Sequence, residues 1–239
     1  MSFRSRTYLI RVRELTCPFR YVDLLYAHRP DRHTPMEEIV RGFNYLIDTG
    51  KTFYWGTSEW NADEIERAHH VATRLNLVGP VMEQPQYNLL VRDRCEREYS
   101  LLYQEYNLGL TPFSPLKGGI LTGKYNEGIP EDSRFAKSDD AYVKSMQKRF
   151  GTEDWQQEAK KVASLKPVAD KLGISQGTLA MAWVLKNPYV ASAITGASRP
   201  EQVYDSVKAI DALPKLTQEV MDEIDEVLGN KPAALTKRF

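Results

Sequence analysis

The run Tyr21-Val22-Asp23-Leu24-Leu25-Tyr26-Ala27-His28-Arg29-Pro30-Asp31 decides how this chain is read. Its first seven residues have the composition of a short buried β-strand: Val22, Leu24, Leu25 and Tyr26 are apolar, and β-branched and aromatic side chains suit a pleated surface. A histidine follows, and Pro30 then removes a backbone donor, so pairing ends there. An imidazole at the C-terminal tip of a buried parallel strand is where α/β barrels place catalytic groups. The same position also suits a hydrogen-bonded strand-end histidine with no chemistry. The run alone leaves both readings open.

Outward from this strand, short apolar runs alternate with helical patterns. Strands are expected near 21–27, 52–57, 81–85, 108–113 and 191–196, and amphipathic helices near 35–49, 61–75, 92–106, 154–172, 176–187, 200–210 and 216–229. Thr34, Pro35 and Glu37 read as a capping box with proline in the first turn. Gly50 reads as the residue that closes that helix, and Asn61 and Ser175 as caps of later ones. Strand–helix alternation at this spacing builds βαβ units and a parallel sheet. The expected class is α/β, a TIM-barrel-like (β/α)8 fold incomplete at the N-terminus, with about five of the eight βα units. Residues 1–20 form an atypical segment bearing Arg4, Arg6, Arg11 and Arg13, and residues 21–239 form the domain.

Composition narrows the classes further. The chain has 239 residues, 42% of them hydrophobic, which is enough for a proper core. Its 32 basic and 32 acidic side chains balance, so no net field favours nucleic acid or an anionic membrane. No apolar run reaches the length of a membrane span, and no secretory h-region is present, so direct membrane insertion is not expected. Cys17 and Cys95 are far apart and without a CxxC, which argues against a disulfide framework or structural zinc and makes a reducing cytoplasm the default. His33, His69 and His70 lack partners at metal-ligand spacing, so no metal is expected. Trp55, Trp60, Trp155 and Trp183 read as core.

The following runs resemble aldo-keto reductases, in particular the branch that includes the β subunits of voltage-gated potassium channels. They are His28-Arg29-Pro30-Asp31 with Thr34-Pro35-Met36-Glu37-Glu38, Tyr54-Trp55-Gly56-Thr57-Ser58-Glu59-Trp60, and Glu83-Gln84-Pro85-Gln86-Tyr87-Asn88. After them come Phe113-Ser114-Pro115-Leu116, Gly123-Lys124-Tyr125, and Gly196-Ala197-Ser198 with Glu201-Gln202. They keep the family's order and approximate spacing from residue 21 to residue 231, with no counterpart of the family's first three strands. The resemblance implies an NADP-dependent oxidoreductase that moves hydride between NADPH and an aldehyde or ketone. It also implies an alternative, a non-catalytic NADP-binding β subunit regulating a potassium channel. The partners so implied are a small carbonyl substrate, and a membrane channel or further copies of the chain.

The resemblance also assigns roles. His28 matches the histidine that orients the carbonyl, where the channel subunits often carry asparagine. The family's catalytic tyrosine, lysine and aspartate have no matching residue; Tyr21, Tyr26, Asp23 and Asp31 stand elsewhere. Ser58 and Gln84 correspond to the residues that hold the nicotinamide carboxamide, with Glu59 where the family often has arginine. Phe113 corresponds to an aromatic that stacks on nicotinamide. Ser114, Pro115 and Leu116 follow in a tight loop of the kind that suits pyrophosphate, with Lys117 in place of a small residue. Lys124 and Arg134 correspond to phosphate contacts on a loop over the cofactor. Gly196, Ser198 and Gln202 correspond to the 2′-phosphate cradle, and Asp205 to an adenine contact, with Ser206 in place of asparagine.

Each assignment has a plainer counterpart. Ser58 and Gln84 can simply satisfy strand ends, Phe113 can be core, and Ser198 can be an N-cap or can open an anion site at a helix start. Gly118-Gly119-Ile120-Leu121-Thr122-Gly123-Lys124-Tyr125 nearly spells a P-loop but puts Tyr125 where the magnesium-binding hydroxyl belongs. The charged, Gly- and Ser-containing stretch 117–150 reads instead as a lid.

Overall fold

Strands β1 (Val22–His28) and β2 (Thr52–Ser58) lie parallel and in register, from Val22 opposite Thr52 to His28 opposite Ser58. β3 (Met82–Glu83) and β4 (Gly109–Leu110) extend the same sheet in the order β1-β2-β3-β4, every pairing parallel. The computed structural model describes residues 20–139 and 141–234, so the segment before Arg20 lies outside the described residues. α1 (Met36–Asp48) joins β1 to β2, and α2 (Ala62–Arg74) joins β2 to β3. A π-type turn (Arg94–Glu98) and α3 (Ser100–Tyr106) join β3 to β4. The expected βαβ alternation is present. β3 and β4 are short because Pro80 and Pro85 bracket one and Pro112 follows the other, each lacking the donor a ladder needs.

The chain divides into two compact units. The first holds the sheet, with residues up to Gln86 and Asp93–Pro112. Its core is built on Trp55, which stacks on Phe43 with ring centroids 4.6 Å apart and donates Nε1–H to the Val78 carbonyl. Trp60, Ile65, Tyr99 and Leu110 are buried with it. Gly56 is required at the centre of β2: a Cβ there would lie 2.6 Å from the Met82 carbonyl oxygen, so any side chain would push β3 away. The second unit, Tyr87–Arg92 with Phe113–Ala233, is helical. It contains α4 (Arg134–Lys137), α5 (Ala141–Gln147), α6 (Glu153–Ser164), α7 (Lys166–Leu172), α8 (Gln176–Lys186), α9 (Pro200–Ala212) and α10 (Gln218–Leu228). α8 is buried almost all round, and Trp155, Trp183, Leu165 and Ile224 pack in this unit's core. No helix of the described residues is long and apolar enough to cross a membrane.

Several expectations are corrected. β1 is not fully buried: Ala27 is, whereas Leu24 is exposed, because among the described residues β1 has one strand neighbour. The strand at 191–196 is reduced to a single parallel bridge between Ile194 and Phe113. Ala, Ser and Gly dominate that run, and they bring little side-chain packing to a ladder. Thr34 does not cap α1; its hydroxyl donates to Asp31 Oδ2 at 2.7 Å, and Pro35 stands at the cap position. The helix expected over 154–172 breaks between Ser164 and Lys166, where Pro167 has no N–H for the Ala163 carbonyl. The lid stretch contains a 3-10 turn (Lys117–Thr122), α4 and α5 rather than unbroken loop. Ser175 caps α8 as expected, accepting from Thr178 N at 3.0 Å, and Gly50 closes α1 at φ +66°.

Candidate functional site

In the first unit the C-terminal ends of β1, β2 and β3 bring His28, Ser58 and Gln84 together. His28 and Ser58 are register partners, and the N–H after His28 donates to the Ser58 carbonyl at 3.1 Å. Ser58 Oγ–H donates to the Gln84 carbonyl at 2.9 Å, which fixes the hydroxyl and leaves its lone pairs. Gln84 follows β3 directly, and its side-chain amide forms no hydrogen bond among the described residues. An amide offering both N–H and C=O beside a fixed hydroxyl complements a carboxamide, which carries the same pair of groups. His28 is exposed. Tyr26, two residues earlier and on the same face, shares a hydrogen bond with Thr111 Oγ1 at 2.9 Å and donates to Met82 Sδ. Burial pushes its phenol up, so it is a poor stand-in for an activated acid.

Behind Ser58 lies a buried carboxyl group with no assigned role in the sequence reading. Glu83 is fully buried; its Oε2 accepts the Thr57 hydroxyl and its Oε1 the Glu59 N–H. Burial pushes it up to about 8, while Thr57 and Arg94 pull it down. Glu59, at φ +60°, takes different partners: Oε1 accepts the Gln86 N–H, and Oε2 faces Arg94 at 3.2 Å and Arg29 at 3.5 Å. The π-type turn that carries Arg94 is pinned by Tyr99, which donates to the Trp60 carbonyl, and by Tyr103, which donates to the Cys95 carbonyl. Such turns recur at functional positions.

In the second unit, Phe113, Ser114, Pro115 and Leu116 form the loop leading to the 3-10 turn. Asn88 Nδ2 donates to the Ser114 carbonyl at 3.0 Å, and Ser114 is held at φ +55°. Lys117 Nζ reaches Glu158 at 2.9 Å, so this cation is engaged by α6. Lys124 is exposed and lies over the Tyr125 ring at 4.9 Å. Tyr125 is buried against Phe135 and Phe150, which explains a tyrosine where a P-loop needs a hydroxyl: it builds the lid's own core. Arg134 opens α4, and its side chain lies outside the described residues.

At α9 the cap position falls on Arg199, not Ser198. Ser198 donates both N–H and Oγ–H to Gln202 Oε1, at 2.8 and 3.2 Å, so the plain N-cap reading is corrected. Gly196 and Asp205 are exposed, and Asp205 pairs with Lys208. Arg199 reaches Asp132 on the lid stretch at 2.7 Å and holds that carboxyl below its usual range. The Ser198 hydroxyl and N–H, freed from Gln202, beside an arginine would suit a phosphate. The sequence reading passed over Arg199; its signal was a cation directly after Ser198.

Backbone strain marks the same places. Among described non-glycine residues with positive φ, Asn76 and Asn107 follow helices, while Arg29, Glu59, Ser114 and Lys117 adjoin or belong to the groups just described. Left-handed backbone at bulky residues is costly and gathers at functional positions.

The sequence pattern of the Aldo/keto reductase family matches residues 14–229. The chain belongs to the aldo/keto reductase family. The (β/α)8 barrel is that family's fold, and the parallel strands and intervening helices agree with it. Relatives named as voltage-gated potassium channel subunit beta include one from Schizosaccharomyces pombe, 49% identical over 218 residues, which are 91% of this chain and 62% of the relative. One from Arabidopsis thaliana is 50% identical and one from Oryza sativa subsp. japonica 51%, each over 213 residues, 89% of this chain and 63% of the relative. The chain thus spans somewhat under two thirds of the length of the curated relatives it matches.

Proposed function

We propose that residues 21–239 form an NADP-dependent oxidoreductase domain acting on an aldehyde or ketone. The observation that carries this is the gathering of His28, Ser58 and Gln84 at the C-terminal ends of three adjacent parallel strands, where such sheets bind ligands. In this reading Ser58 and Gln84 hold the carboxamide and Phe113 stacks on the ring. Ser114, Pro115 and Leu116 take the pyrophosphate with Lys124 and Arg134. Gly196, Ser198 and Gln202 take the 2′-phosphate, Arg199 adds charge there, and Asp205 meets the adenine. When bound, the cofactor supplies or receives hydride. The chain's own part is to fix the ring's face, exclude water, and let an N–H of His28 meet the charge that develops on the carbonyl oxygen. The second reading is a non-catalytic, cytoplasmic NADP-binding β subunit that associates with a voltage-gated potassium channel or with further copies of itself. The naming of relatives about 50% identical favours it.

Calorimetric titration of the 239-residue chain with NADP⁺ and NAD⁺ tests what the two readings share. Tighter binding of NADP⁺ is expected; equal or tighter binding of NAD⁺ overturns it. Aldehyde reduction with NADPH, measured after binding, separates an enzyme from a cofactor-binding subunit.

A further inference from the structure

We propose that Glu83 is a positioning residue that sets the balance between oxidised and reduced nicotinamide, and that this balance changes with pH. The inference rests on Ser58 and Gln84 as the carboxamide ligands. Glu83 precedes Gln84 in the chain and is the register partner of Thr57, the residue before Ser58. Its two oxygens take the Thr57 hydroxyl and the Glu59 N–H, so one carboxyl group fixes both neighbours of Ser58. The N–H it accepts from Glu59 belongs to a residue in the left-handed conformation, at φ +60°.

The groups that face Glu83 come from each surrounding element. Arg94, Cys95 and Tyr99 belong to the π-type turn and its end, Tyr26 lies on β1 and Arg29 follows it, and Thr57, Glu59 and the Trp60 backbone belong to or follow β2. The cations among them, Arg94 and Arg29, both engage Glu59. The hydrogen bonds to Glu83 come from neutral donors, the Thr57 hydroxyl and backbone amides; Arg94 and Arg29 favour its charged form from farther off, and burial outweighs them, so the neutral form is favoured near neutral pH.

Both protonation states keep the same neighbours. The neutral carboxyl donates to Thr57 Oγ1, and the carboxylate accepts from it, so Ser58 stays placed. The charge behind it differs. Oxidised nicotinamide is a cation and the reduced ring is neutral, so a carboxylate at Glu83 attracts the first and is indifferent to the second. By linkage, the affinity for NADP⁺ relative to NADPH rises as pH passes through the range in which Glu83 ionises. The cofactor's 2′-phosphate, which titrates near pH 6, is common to both forms and cancels in the ratio.

The test is calorimetric titration of the full chain with NADP⁺ and with NADPH over a pH series from about 7 to about 9.5, spanning the range in which Glu83 ionises. The ratio Kd(NADPH)/Kd(NADP⁺) is expected to rise by about five- to tenfold, the order for unit charges a few residues apart in a partly screened site. In Glu83→Gln it stays flat, since glutamine keeps both hydrogen bonds without the titration. In Thr57→Val, which removes a hydroxyl that lowers the Glu83 pKa, the inflection moves to higher pH. A flat ratio in the wild-type chain, the same rise in Glu83→Gln, or an unmoved inflection in Thr57→Val each overturns the role of Glu83. Failure of every variant to bind either cofactor form overturns the oxidoreductase reading beneath it, a result distinct from binding with a flat ratio.

Discussion

Replacing Glu83 by glutamine removes one titration from the folded protein, and the effect on stability has a defined sign. Burial holds the folded carboxyl at about 8, against an ordinary 4.5. Between those values the unfolded chain has released the Glu83 proton and the folded chain has kept it. The folded state then binds more protons, so its stability falls as pH rises. The contribution is fully present below about pH 4.5, is lost progressively, and is gone above about pH 8. At about 1.4 kcal/mol per pH unit, the ceiling is about 5 kcal/mol, and the higher effective dielectric of real protein interiors reduces it to about 2–3 kcal/mol. That is a large share of a domain's 5–15 kcal/mol margin. Glutamine retains both partners, its amide donating to Thr57 Oγ1 and its carbonyl accepting from Glu59 N. Melting temperatures of the two proteins should therefore nearly coincide at pH 5 and separate as pH rises. At about 2–4 °C per kcal/mol, the variant should melt about 5–10 °C higher at pH 8.5. Every other carboxylate is common to both chains and cancels. Circular-dichroism melts at pH 5, 6.5 and 8.5 make the comparison. A separation that is constant or shrinks with pH would refute the placement of a neutral carboxyl behind Ser58.

Four further outcomes are expected. Arg92 is buried, donates to Asp225 at 2.7 Å and lies over the Trp183 ring, so Arg92→Met should cost about 1.5–3 kcal/mol by removing a buried charged hydrogen bond, with Lys231 still paired to Asp225; a denaturant midpoint shift equivalent to under about 0.5 kcal/mol would contradict this. Gly56→Ala should cost about 1–3 kcal/mol by driving β3 off the Met82 contact, whereas Gly42→Ala, with nothing near its Cβ, should not destabilise; equal losses would remove the steric argument. Lys117→Met frees Glu158 from one of its two cations, the other being Arg149, and should speed limited proteolysis within 123–150; unchanged cleavage would show the pair does not hold the lid stretch. Aldehyde reduction by this chain should be slower than in an enzyme with a positioned acid by about 10²–10⁴-fold, and His28→Ala should slow it further by removing the donor to the developing charge; fast turnover, or turnover untouched by His28→Ala, would mean another group serves.

The parts legible in the sequence are those fixed by local chemistry. β1 and β2 stand where alternation and strand-ending residues put them, and Gly50 and Ser175 act at helix ends through their own backbone and hydroxyl. The strand expected at 191–196 shrinks to one bridge because a strand's existence depends on its partners, and among the described residues Ile194 pairs with Phe113. Exposure of Leu24 agrees with the open edge that about five of eight strands imply at Tyr21–Ala27, although the strand's apolar composition by itself says what it can bury and not what covers it.

The candidate site divides along that line too. The family resemblance assigns Ser58 and Gln84, which fit their strand tips; Glu59 enters only as standing where the family often has arginine, and Glu83 is given no role. One glutamate follows Ser58 and another precedes Gln84, which in sequence reads as two like charges at one point. Only the register of β2 on β3 separates them: it turns Glu83 inward beneath Thr57 and leaves Glu59 at the strand's end, within reach of Arg94 and Arg29. The cations can neutralise one carboxylate, and the buried one is then most cheaply kept as a neutral acid. The conflict between two glutamates is thus eased by giving Glu59 the cations and Glu83 a burial that favours its neutral form. That asymmetry puts a titratable group directly behind the residue proposed to hold the nicotinamide.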